Sequence, residues 1–212
     1  MLRNRFFAPL FALTLLGSFM LTGAAGATES PPAAKAPAGS SPSAIAAAKL
    51  DERGKKLMDG MDENQTLQFA SIRTSYGTIR SVQNVQQSID KAVTACGEVN
   101  PGIKDTMDDG FENWRMYIRP TMRKAESKLE KMIMLQTFAR PSEVRSYLKL
   151  FDDAVAARDA EVKKEPIVNK EECIKLLKRM ADTQEKMVSL LNKTLYLDKP
   201  IKQKDSEIQI PE

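Results

Sequence analysis

The sequence predicts an all-α fold: an up-down-up-down four-helix bundle with a short leading helix. Three observations lead there. Apolar residues recur every three or four positions over long stretches, the period of one helical face. No alternating run of apolar and polar residues reaches strand length. Proline and glycine gather at a few junctions, leaving connections of about three to five residues, and links that short make sequential helices antiparallel neighbours.

The leading helix is expected from about Ser43 to Met61, carrying Leu50, Leu57, Met58 and Met61. The first strong helix is expected from about Asp62 to Cys96. Its stripe is Phe69, Ile72, Tyr76, Ile79, Val82, Val85, Ile89, Val93 and Cys96. Gly97 reads as a left-handed cap that closes it. Asn100-Pro101 reads as an N-cap followed by the first residue of the second helix. That helix should run to about Phe138, with Ile103, Met107, Phe111, Trp114, Ile118, Met122, Ala125, Leu129 and Met132 inward. Pro120 falls opposite this stripe, where its missing N–H removes one backbone bond and should kink the helix.

Pro141-Ser142 breaks the chain. A third helix follows with Val144, Leu148, Phe151, Val155 and Val162, ending before Pro166. Asn169 and Glu172 have capping-box spacing and open the fourth helix. It uses Cys173, Leu176, Leu177, Met180, Met187, Leu191 and Leu195.

Ahead of the bundle, residues 1–27 have the order of a cleavable signal peptide. Arg3 and Arg5 precede an apolar run from Phe6 to Leu21, and small residues lead to a cut after Ala27. The run is shorter than the ~20 residues of a spanning helix. Residues 28–43, rich in Pro, Ala and Ser, read as a disordered linker. The bundle domain is assigned to 44–198 and an irregular tail to 199–212. Export points to a bacterial periplasm as the simplest compartment, with full secretion as the alternative.

An oxidising compartment favours pairing of Cys96 with Cys173. The topology agrees: if the first strong helix runs up, Cys96 lies at its top, where the fourth helix begins with Cys173. Removing Arg3 and Arg5 with the signal leaves 30 basic against 28 acidic residues. That near balance lacks the basic footprint of a nucleic-acid binder.

The chain has no histidine, which excludes Ser-His-Asp and Cys-His catalysis and histidine-ligated haem, zinc or di-iron sites. It also lacks CxxC, a glycine-rich phosphate loop and a GxSxG elbow. Glu126-Ser127 matches the catalytic Glu-Ser pair of helical lytic transglycosylases, but that family's glycine- and aromatic-rich companion segments are missing. Methionine thioethers can hold Cu(I), yet Met107, Met122, Met132, Met180 and Met187 fall on core stripes and read as packing. Asp105, Asp108, Asp109 and Glu112 cluster where carboxylates complement a helix N-terminus, without the loop a Ca²⁺ site needs.

Arg115, Arg119 and Arg123, spaced i, i+4 and i+8, form a basic ridge on the second helix. Such a ridge is a surface for an anion or a partner, or a solvated face neutralised by Glu112, Glu126 and Glu130. The expected function is therefore a non-catalytic interaction or scaffold module of the cell envelope with a protein partner and no cofactor. The alternatives are a bundle that binds a ligand or metal between its helices, and a carboxylate- or lysine-based enzyme. An exposed apolar groove would favour a protein partner, and an internal cavity with a few polar groups a ligand.

Overall fold

Helices carry nearly all of the residues that the computed structural model describes, 41–163 and 166–198, with no strand among them. The expected signal peptide, all but the last residues of the linker, and the C-terminal tail lie outside these. The elements are α1 (Pro42–Met58), α2 (Glu63–Val99), a 3-10 turn (Pro101–Ile103), α3 (Lys104–Leu135), α4 (Pro141–Glu161) and α5 (Lys170–Leu195).

Local chemistry explains most of the boundaries. Ser41 caps α1 by accepting from Ala44 N–H at 3.3 Å, with Pro42 in the first turn, where its missing N–H costs nothing. Asp62 and Gln65 form a reciprocal capping box for α2, at 2.8 and 3.1 Å. Asn169 caps α5 by accepting from Glu171 N–H at 2.9 Å, whereas Glu172 pairs with Lys175 instead of closing a box.

Three expectations are corrected. Gly97 is not a left-handed cap: it is buried inside α2. A Cβ there would lie 2.9 Å from Lys104 Cγ, so glycine permits the close start of α3. Asn100 is not a side-chain N-cap; its amide donates to the carbonyls of Cys96 and Val168, and Pro101 opens the 3-10 turn. The second strong helix stops at Leu135 and not near Phe138. Gln136 Oε1 accepts from Phe138 N–H and Ala139 N–H at 2.8 and 3.0 Å, and so shapes the turn.

The apolar stripes face inward with few exceptions. Phe69, Ile72, Met107, Trp114, Ile118 and Met180 are among the buried residues. Val162 departs from the expectation, lying exposed just past the end of α4. Ile133 and Tyr147 join the core although the stripes omitted them. α3 continues through Pro120, which is exposed.

α2, α3 and α5 pack against one another, and α1 packs chiefly on α4. α3 and α5 run parallel, since Lys128 near the end of α3 donates to the Tyr196 carbonyl just beyond α5. α2 runs opposite to both, its last turns joined to the first turn of α5 by the disulfide. α1 lies antiparallel to α4: Ser43 meets Glu161 at one end, and Arg53 meets Glu143 at the other. Tyr147 and Phe151 connect this pair to α2, against Phe69 and Tyr76 at ring separations of 5.0 and 5.7 Å.

Candidate functional site

Cys96 and Cys173 form a disulfide with Cα atoms 5.9 Å apart, and both side chains are fully buried. The pairing follows from α2 ending where α5 begins. The loop between α4 and α5 crosses the same end, its Val168 carbonyl accepting from Asn100. Closing a 77-residue separation stabilises the fold by about 2–4 kcal/mol. Buried thiols already joined to each other offer no nucleophile, so this end reads as structural.

The basic ridge is on the surface. Arg115, Arg119 and Arg123 are all exposed on α3. Arg115 pairs with Glu112, while no ion pair joins Arg119 or Arg123 to another of the described residues. Of the acids expected to neutralise it, Glu112 does so for Arg115, and the other two are engaged elsewhere. Glu130 pairs with Arg145 from α4, and Glu126 accepts from Gln83 of α2 at 3.0 Å.

A half-buried polar network ties the α1–α4 pair to the rest. Tyr76 donates its hydroxyl to Asp152 at 2.6 Å, and Arg80 Nε donates to the other oxygen of that carboxylate at 2.7 Å. Arg80 also donates to Gln83. Burial first, and the Asp152 carboxylate second, push the Tyr76 hydroxyl well above the ordinary tyrosine range. Every member of the network has a partner on a neighbouring helix, which suits holding helices together rather than proton transfer.

Two open grooves are candidates for binding. One, about 380 Å³, lies between α1 and α4 and is walled by Ala44, Ala47, Leu50, Phe151, Ala154 and Val155. Small residues on both helices keep the walls low, and Ser43 and Arg158 supply its polar rim. The other, about 600 Å³, lies among α2, α3 and the end of α5. It combines Leu67, Met132 and Leu195 with the hydroxyls of Ser71, Thr74, Ser75 and Thr194 and with Lys128 and Lys193. Burial pushes the Lys128 ammonium below the usual lysine range.

Neither groove was anticipated residue by residue. The alanines of the first were visible as i, i+3 small residues in α1, but the helix opposite them was not deducible from spacing. Trp114, expected in the core, is buried and stacks on Phe111 with ring centres 6.2 Å apart. The acids at the start of α3 do not gather: Lys104 pairs with Asp108, and among the described residues no group of three or more His, Cys, Asp or Glu could hold a metal ion. No helix among those residues is long and apolar enough to cross a membrane. Compared with protein-family models, curated proteins and solved structures, the chain finds no match in any of the three.

Proposed function

We propose that this chain is an exported, non-catalytic helical module of the bacterial cell envelope that acts by binding a protein partner. The observation that carries the reading is the α1–α4 groove, an open slot with apolar walls. It is bounded by the half of α4 beyond Leu148, where no residue is fully buried. Apolar surface left open along a helix pair is what an amphipathic partner helix covers. Export rests on the signal-like residues 1–27, which makes the periplasm the simplest compartment, with full secretion as the alternative. We read α2–α5 as the up-down-up-down bundle and α1 as its added arm.

A photo-crosslinking residue placed at Ala47, in the cells that make the protein, tests this. One discrete protein adduct at Ala47, missing when the probe stands at exposed Lys91 on α2, is the expected result. An absence of adducts at Ala47 would reject the reading.

The second groove favours a different function. Hydroxyls and two lysines over an apolar floor suit a small amphipathic anion. Native mass spectrometry of the protein recovered from its envelope separates the two readings. A retained small-molecule mass that is lost on Lys193→Glu would support a ligand-binding bundle instead.

A further inference from the structure

The outer face of α3 is rich in cations. From Asn113 to Ala125 the helix carries four cations and no acid, and Glu130, the next acid on that side, pairs with Arg145. At about 100° per residue, Met116, Pro120, Arg123, Ser127 and Lys131 share one side of the helix. Trp114, Ile118, Ala125 and Leu129 fill the other side and are buried.

This cationic face is also apolar. Met116 and Tyr117 are 44% and 47% exposed, and Met134 and Leu135 are 55% and 50% exposed. The two apolar pairs stand about 27 Å apart along the helix, with Arg119, Arg123, Lys124 and Lys131 between them. No ion pair joins any of those four cations to another of the described residues. The nearby acids have other partners: Glu112 pairs with Arg115 and Glu130 with Arg145, while the Glu126 carboxylate, still charged, accepts from Gln83. Arg115 belongs to the sequence ridge but turns about 80° away from Arg123, so it borders the face without forming its centre.

We propose that this face docks the protein flat on a bilayer containing anionic phospholipid. Arg119, Arg123, Lys124 and Lys131 meet headgroup phosphates, and Met116, Tyr117, Met134 and Leu135 enter the headgroup–acyl boundary. A helix face whose cations stand between pairs of exposed large apolar side chains suits interfacial binding. An acidic polymer without apolar groups would satisfy the charge alone and leave both apolar pairs in water.

Co-sedimentation of the full chain with vesicles of phosphatidylcholine, with and without phosphatidylglycerol, tests the proposal. Each variant is read against the parent, so any contribution from other segments is common to both. The parent should prefer the anionic vesicles, and added salt should weaken the preference. Arg119→Glu with Arg123→Glu should reduce anionic-vesicle binding by at least about 30-fold. Met116→Ser with Tyr117→Ser should reduce it about tenfold at unchanged charge. Lys91→Glu with Lys178→Glu, an equal change in net charge on other helices, should leave it within about twofold. Circular dichroism melts confirm that these exposed substitutions leave the fold intact.

Three results would overturn the proposal. One is no preference for anionic vesicles by the parent. Another is an equal loss in the Lys91 and Lys178 control. The third is binding of soluble polyglutamate as tight as binding of vesicles, indifferent to the Met116 and Tyr117 substitutions, which would assign the face to an acidic polymer.

Discussion

The α2–α3–α5 trio and the α1–α4 pair are built from helices of similar chemistry and are held in different ways. The trio has a continuous buried interior from Met107 and Met180 down to Phe69 and Leu195, closed at one end by the disulfide. The pair is buried at one end only, where Gly54 lets Tyr147 approach to within 3.4 Å of where a Cβ would stand. Leu57, Val144 and Leu148 complete that cluster. Toward its other end the pair relies on polar contacts, Tyr76 and Arg80 with Asp152 and Ser43 with Glu161. Apolar burial resists opening more than exposed polar contacts do. The pair should therefore open before the trio, and the groove proposed for a partner lies at its weaker end.

Substitution at the centre of the trio should show the largest effect. Trp114 is 2% exposed and stacks on Phe111. Trp114→Ala should cost about 3–5 kcal/mol of global stability, while Val155→Ala in the half-exposed pair should cost under about 1 kcal/mol. Urea titration of both variants measures the contrast. The Trp114 Nε1–H has no hydrogen-bond partner among the described residues. Trp114→Phe removes that buried donor and should cost much less than Trp114→Ala. Similar losses for Trp114→Ala and Val155→Ala would dissolve the distinction between the two regions.

Removing the disulfide comes next. Cys96→Ser with Cys173→Ser should lower stability by about 2–4 kcal/mol. Hydrogen exchange should rise first in the last turns of α2 and the first turns of α5, before α1 changes. Faster exchange in α1 at the outset would mean that the pair depends on the disulfide end.

How much of this was legible depended on which contacts are local. Stripe residues at i, i+3 and i+4 report on their own helix, so Phe69, Ile72, Trp114 and Ile118 could be assigned inward without knowing their neighbours. The disulfide was legible because short links fix alternating helix directions, which brings Cys96 and Cys173 to one end. Pairings between helices were not. α5 packs on both α2 and α3, and α4 takes α1 as its main neighbour, because side-chain size at the crossings decides which helices approach.

Gly54 and Tyr147 show this, since neither means much until the ring is seen over the glycine. Tyr147 lies three residues after Val144, a spacing that admits it to the same face, yet Leu148 satisfies the stripe equally well. Both are buried because α4 is covered on two sides. On α3 the ridge spacing located the cations. Their difference from one another became visible only when Glu112 was seen to pair with Arg115, and Glu126 and Glu130 with residues of α2 and α4.

The smallest expected effect tests the joint between the two regions. Tyr76→Phe removes one hydrogen bond to Asp152 and should cost about 1 kcal/mol at neutral pH. In the folded protein the Tyr76 hydroxyl titrates above its ordinary value because of burial and Asp152. Its contribution is therefore fully present below the unfolded value near pH 10 and is lost as pH rises through the folded value. Tyr147 is shifted the same way, chiefly by burial, so Tyr76→Phe should reduce the alkaline loss without abolishing it. Urea midpoints at neutral pH and above pH 10, with hydrogen exchange in α4, read both effects. The variant should start less stable, lose less on alkalisation and exchange faster in α4 than in α3. An unchanged alkaline slope would show that Tyr76 does not carry the joint.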